Sequence, residues 1–207
     1  MNYPEELRQK AIKQMQNCYV DGFLSGAGNP NAKLMLIGEA PGKTEIQTKK
    51  PFSGKAGLVL DQNLKKINLT RDDIYITSTV RSRPYKQVPN KDIAHMPNRK
   101  PIQKEIAAHA ILLDFEITQI NPRIIATLGS VALQRLLGGK YKLNDWHGKL
   151  ITTTIKQWNN KKQCYTNSKN KFIIIPMYHP AAIFYNPKLQ DIISQDWQQL
   201  KQALQNL

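Results

Sequence analysis

The sequence predicts an α/β protein built in three layers, a central and mainly parallel four-stranded sheet held between helices. Three observations carry that prediction. Short runs of aliphatic and β-branched residues recur at Leu34–Ile37, Ile74–Thr77, Ile124–Leu128 and Phe172–Ile175, each the length of one buried strand. Longer stretches with helical spacing of apolar residues separate them. Glycine or proline follows three of the four runs closely, as where strands of an open sheet end at a ligand crevice.

Taken in order, Pro4 and the acidic pair Glu5-Glu6 open a helix to about Gln16, since proline and acids suit a first helical turn. Residues 18–29 contain glycine and read as loop. The run Leu34–Ile37 is the first strand, broken off at Gly38-Glu39-Ala40-Pro41-Gly42. A loop carrying Phe52 follows, and after Gly57 the spacing of Leu58, Leu60, Leu64 and Ile67 predicts a helix packed back on that strand. Asp72-Asp73 lead into the second strand. Residues 81–100 read as a proline-rich basic loop, and Ile102–Ile120 as a helix ended near Pro122. The third strand gives way at Gly129-Ser130 to a helix ending near Leu137. Leu150–Thr154 reads as a strand, 156–170 as polar loop, and Phe172–Ile175 as the next strand. A helix from Ile192 to Leu204 closes the chain. With no internal repeat and no linker, one domain over 1–207 is expected.

The chain carries 30 Lys+Arg against 15 Asp+Glu, a formal net charge of +15. That balance favours a polyanionic partner, nucleic acid before a membrane surface. Two cysteines, Cys18 and Cys164, supply neither a metal framework nor a disulfide scaffold. The start has no apolar signal region and no run reaches transmembrane length, so a cytoplasmic protein is expected.

The densest motif is at residues 38–57. Gly38 to Thr44 superficially mimics a phosphate-binding P-loop, but three residues rather than four separate its glycines, and Glu39 would set a negative charge inside an anion cradle. A carboxylate at a strand tip with an aromatic a dozen residues on points instead to a flat ligand. The pair GEAPG (38–42) and PFSGKAG (51–57) resembles the first motif of the uracil-DNA glycosylase superfamily, family 4 most closely. His179-Pro180-Ala181, after the last strand, resembles its second motif, and the likeness extends from about Gly28 to Leu204.

That resemblance implies a base-excision repair enzyme that hydrolyses the N-glycosidic bond of uracil in DNA and leaves an abasic site. It implies Glu39 and His179 as catalytic residues, the carboxylate near the sugar and the imidazole near the departing base. Gly38, Ala40, Pro41, Gly42, Phe52 and Ser78 would bind the base. Arg81, Arg83, Lys86, Lys91 and Arg99, with Pro180, Ala181 and Ala182, would contact DNA, and Ile183, Phe184 and Tyr185 are candidate wedges. A monomer acting on uracil-containing DNA, without membrane association, is expected.

The sequence departs from the family three times. Ser78 stands where family 4 has an asparagine that reads the uracil edge. A hydroxyl carries one donor, so discrimination from cytosine is either weakened or carried by backbone groups. Family 4 holds a 4Fe–4S cluster on four cysteines; here Ser82 and His109 occupy two of those positions, and no cofactor or metal is expected. An insert of about a dozen residues after Ser82 contains Tyr85, Lys86, Lys91 and His95 and reads as a basic DNA-contacting loop. His95 as a covalent nucleophile is the weaker reading of it. A non-catalytic member that binds nucleic acid or free base, or a glycosylase for another deaminated base, stands as the rival.

Overall fold

A computed structural model describes residues 1–206. Helix α1 (Glu5–Gln14) leads to the two-residue strands β1 (Val20–Asp21) and β2 (Ala27–Gly28), then β3 (Leu34–Gly38). Helices α2 (Lys43–Thr48) and α3 (Lys55–Lys66) precede β4 (Ile74–Ser78) and the short β5 (Arg83–Pro84). Then follow α4 (Gln103–Ile120), β6 (Ile124–Leu128), α5 (Ser130–Leu137) and α6 (Leu143–Trp146). The hairpin β7 (Ile151–Asn159) and β8 (Cys164–Met177) leads to the closing helix α7 (Leu189–Gln205).

The main sheet has six strands in the order β2-β4-β3-β6-β8-β7. Its centre, β4-β3-β6-β8, is the expected four-stranded parallel core. The expectation of four strands is corrected at the edges, where β2 and β7 add antiparallel neighbours. β2 is two residues long, too short to carry a periodic signal. The 156–170 segment, read as polar loop, is instead the outer half of the β7–β8 hairpin. Most of its residues remain partly or fully exposed, so the apolar alternation that marks a half-buried strand is missing. Arg135 and Asp114 anchor it from below: Arg135 donates to the Lys156 carbonyl at 2.6 Å, and Asp114 accepts from Trp158 N at 2.6 Å.

Alternation along the parallel strands divides the core in two. Leu34, Leu36, Ile74, Ile76 and Ile175 face α3 and α7, where they meet Leu60, Leu64, Trp197 and Leu200. Met35, Ile37, Tyr75, Ile125 and Ile174 face α4 and α5, where they meet Leu113, Ile117, Leu133 and Leu136. This is why the parallel strands read as continuous apolar runs.

Candidate active site

Parallel strands deliver their carboxyl ends to one edge of a sheet. Ser78 ends β4 opposite Gly38 of β3, and the segments after β3, β6 and β8 emerge beside it. A pocket of about 600 Å³ opens there. Gly38, Glu39, Ala40, Pro41, Gly42, Phe52, Ser78 and His179 all line it, together with Asn98, Lys100 and Tyr185. Residues far apart in the chain thus share one crevice.

The aromatic loop is tied down from two sides. Glu45, in the short helix α2, accepts from Gly42 N at 3.1 Å and from Gly54 N at 3.0 Å. One carboxylate therefore staples the 38–42 turn to the 51–57 loop. Arg71 donates to the Pro51 carbonyl at 2.7 Å and to the Phe52 carbonyl at 2.6 Å, while Asp61 of α3 holds its Nε at 2.6 Å. Phe52 takes a left-handed backbone conformation, φ 51°, which a non-glycine residue adopts only where its surroundings enforce it. The adjacent Gly57 is required by contact: a Cβ there would lie 1.7 Å from the Phe52 carbonyl oxygen. Neither Glu45 nor Arg71 was picked out from sequence. Glu45, three residues beyond Gly42, sits where a capping acid precedes a helix, whereas nothing local marks Arg71 as the partner of a loop twenty positions away.

Phe52 lies against His179, ring centroids 5.4 Å apart and 27° from coplanar. The two rings are stacked, so His179 covers part of one Phe52 face and the remaining aromatic face is open to a heterocycle. The His179 Nδ1 accepts from Ala181 N at 3.2 Å. Burial pushes the pKa of its imidazole down to about 4, only partly offset by the Glu45 charge. At neutral pH the ring is uncharged, and with Nδ1 accepting, Nε2 carries the proton as a donor. Glu39 is half-buried, and burial raises its carboxyl above the usual range, with the Lys100 ammonium pulling the other way. Among the described residues none donates a hydrogen bond to the Glu39 carboxylate.

Two of the three expected DNA-binding arginines, Arg81 and Arg83, are corrected by burial. Arg81 is fully buried and pairs with Glu116 at 2.7 Å, also donating to Tyr3 and the Ser78 carbonyl. Arg83, 1% exposed, bonds Asn98 and the Ile93 and Met96 carbonyls beneath the insert. Arg99 grips buried Glu105 with both nitrogens of its fork, at 2.5 and 2.9 Å. Arg81 and Arg83 are thus spent on internal acceptors, whereas Arg99, partly exposed, also lines the pocket. Lys86 and Lys91 are exposed, as is His95, which does not line the pocket.

The turn after β8 is corrected in part as well. Pro180 is buried, Ala182 packs on the core, and the Ala181 amide is spent on His179. Ile183 also packs inward. Phe184 and Tyr185 face outward, 51% and 89% exposed, and Tyr185 borders the pocket.

The residues at the cluster positions do not fit an iron–sulfur group, which needs four thiolates. Cys18 packs half-buried on Met15, Val80, Ile106 and Ala108. Cys164 is exposed where the β7–β8 turn closes onto β8. The Nδ1 of buried His109 accepts from Arg81 N at 2.8 Å, and burial, with the Arg81 charge, pushes its pKa down to about 3. Apolar packing and the Arg81–Glu116 pair hold this region together.

The chain is also similar to known proteins over most of its length. Residues 25–201 match the family described as the uracil DNA glycosylase superfamily. The Type-4 uracil-DNA glycosylase of Sulfurisphaera tokodaii is 35% identical over 98% of this chain and 85% of the relative. That of Thermotoga maritima is 31% identical over 95% of this chain and 94% of the relative. The solved structure of wild-type Pedobacter heparinus SMUG2 aligns with 97% of this chain and 99% of that one, at 14% identity and a TM-score of 0.47.

Proposed function

The chain belongs to the uracil DNA glycosylase superfamily and is a uracil-DNA glycosylase of base-excision repair, and on that premise we propose that Glu39 and His179 are its catalytic pair. The single observation that supports the assignment is the convergence of Glu39, Phe52, Ser78 and His179 in one strand-edge pocket.

A base inside a duplex is out of reach, so the nucleotide is flipped into the pocket, where the base stacks on Phe52. The bond between uracil N1 and C1′ breaks with its electron pair going to the base, and the sugar acquires oxocarbenium character. Neutral His179 donates through Nε2 to the base oxygen on which charge develops, a preorganised donor in a water-poor site. The Glu39 carboxylate stabilises the sugar cation and orients the water that adds to C1′, the released proton passing to solvent. The raised pKa of Glu39 suits a group left without donors until substrate arrives. Exposed Lys86 and Lys91 neutralise phosphates, and Tyr185 at the rim, with exposed Phe184 next to it in the chain, serves as an apolar wedge. No helix of the described residues is long and apolar enough to cross a membrane.

The test is uracil release from oligonucleotides carrying U:G, U:A or single-stranded U. Wild-type enzyme is expected to leave abasic sites. His179→Ala is expected to lose about 10²–10³-fold in rate, the usual loss of an oxyanion donor. A His179→Ala enzyme as fast as wild type overturns the assignment.

A further inference from the structure

The positive charge of this chain is unevenly placed. Residues 138–172 hold eight lysines and one acidic residue, Asp145, whereas the whole chain carries 30 Lys+Arg against 15 Asp+Glu. Most of that segment belongs to the β7–β8 ribbon. Lys161 and Lys162 at its turn, and Lys169 and Lys171 along β8, are all exposed. Among the described residues none of these four is paired with a carboxylate. Like charges therefore stand close together without counter-charge, a repulsion that a bound polyanion relieves.

The ribbon that carries them is a fixed frame. The Arg135 guanidinium, paired with Asp114 at 2.6 Å, sits over the Tyr165 ring at 4.7 Å. Ser168 Oγ accepts from Ile155 N at 3.0 Å, and Lys10 of α1 donates to the Asn160 side chain at 3.0 Å. The frame also stands apart from the pocket. β8 runs beside β6 from Ile173 to Met177, and the pocket residue His179 follows that end. The basic stretch precedes Ile173, at the opposite end of the strand, and none of the four lysines lines the pocket.

The chemistry of the surface selects its partner. A lysine ammonium is a point charge that neutralises phosphate without the planar fork that reads base edges. Among the described residues no large apolar side chain is exposed on β7 or β8. The ribbon thus lacks the apolar anchor on which a protein interface centres or which an amphipathic surface element buries in a bilayer. Charge without an anchor fits a phosphate backbone, bound without regard to sequence.

We propose that the β7–β8 ribbon is a second nucleic-acid surface, which holds a DNA segment other than the one presented to the pocket. An enzyme held to a second segment can release the first without entering free solution. The proposal goes beyond the glycosylase reading and does not depend on which residues are catalytic.

The test occupies the pocket first. Full-length protein is saturated with a short duplex carrying an abasic site, and uptake of a labelled, uracil-free duplex by that complex is followed as salt is raised. One variant combines Lys161→Gln, Lys162→Gln, Lys169→Gln and Lys171→Gln, and a milder one carries only the first two. Wild type is expected to hold both duplexes in one complex. The salt slope for the second duplex is expected to fall by about three to four in the fourfold variant and by about half of that in the milder one. Uracil release from a short single strand is expected to stay at the wild-type rate in both. Melting curves show whether the fourfold variant folds, and the milder one decides if it does not. No uptake of a second duplex by wild type overturns the proposal, as does equal uptake by the variants. A variant that loses the short duplex in the same proportion has one continuous site, which also overturns it. Lysine-dependent binding to vesicles of anionic phospholipid, with no second duplex bound, overturns it in favour of a lipid surface. If a second duplex is held through the lysines but no uracil is released, the proposal stands and the catalytic assignment falls.

Discussion

Two glutamates define this molecule by contrast. Glu116 is fully buried on α4 and surrounded by donors: Tyr3, Gly26 N at 3.1 Å, Tyr75 at 3.1 Å, Thr77 at 2.5 Å and Arg81 at 2.7 Å. Glu39 is half-buried at the tip of β3 with no such donor among the described residues, and only the charge of Lys100 to favour its ionised form. Burial disfavours both charges, yet only at Glu116 is the charge matched by a buried counter-ion and hydrogen bonds. A saturated carboxylate is structure. An unsaturated one has its hydrogen-bonding capacity left for a substrate.

The contrast is most sharply broken by exchanging each carboxylate for its amide. Glu39→Gln is expected to lower the rate of uracil release by about 10²–10⁴-fold, the range for a positioned acid–base or charge-stabilising group, and to leave the melting temperature nearly unchanged. Glu116→Gln is expected to do the reverse. It leaves Arg81 buried without its counter-charge, a loss of about 3–5 kcal/mol, or roughly 10 °C in melting temperature for a chain of this size. Oligonucleotide cleavage and calorimetry on the two variants measure both columns of that comparison.

Arg71 sharpens it further, as a charged residue that is structural in its contacts and functional in what it holds. Arg71→Ala is expected to free the Pro51 and Phe52 carbonyls and to lower kcat/KM about tenfold, through misplacement of the stacking ring. Arg71→Lys keeps the charge and one donor nitrogen in place of three, and restores part of it. Affinity for abasic DNA, which has no base to stack, is expected to stay the same in both; a parallel loss there would show that Arg71 supports the whole fold rather than the ring.

The smallest effects belong to the outward lysines. Lys86→Ala and Lys91→Ala are each expected to weaken DNA binding evenly across sequences and to lower the salt slope of the association constant by about one. Arg83→Ala, in the same insert, is expected to lower the melting temperature instead, because its fork is spent on Asn98 and two carbonyls.

That split between lysines and arginines marks where sequence reading stops. Charge shows in a sequence, but direction does not: the rigid arginine fork suits buried carbonyls and carboxylates, whereas a lysine ammonium stays in water. The parallel core was legible because strands buried on both faces must be apolar throughout, as at Leu34–Ile37 and Ile124–Leu128. The convergence of Glu39 and His179 was legible because parallel strands end on one edge. The outer half of the β7–β8 ribbon, residues 156–170, was not, since most of its residues, such as Lys156, Gln157 and Asn167, are partly or fully exposed and show no apolar alternation. Helix α2 was missed because six residues with one buried side chain, Ile46, carry no period. Arg71 and Asn98 were missed because they act across the fold, on loops distant in sequence.

The measurement that tests the central claim most directly is the single-turnover rate of uracil release as a function of pH, for wild type, Glu39→Gln and Lys100→Met. Wild type is expected to lose rate on the acid side as Glu39 takes up a proton, at a pH above the usual carboxylate range because burial raises that group. His179, at about 4, is still neutral as that loss begins. Removing the Lys100 charge, which lowers the Glu39 pKa, is expected to move the acid limb to higher pH. Glu39→Gln is expected to be slow and to lack that limb. A Glu39→Gln enzyme that keeps both the wild-type rate and the wild-type limb would contradict the account.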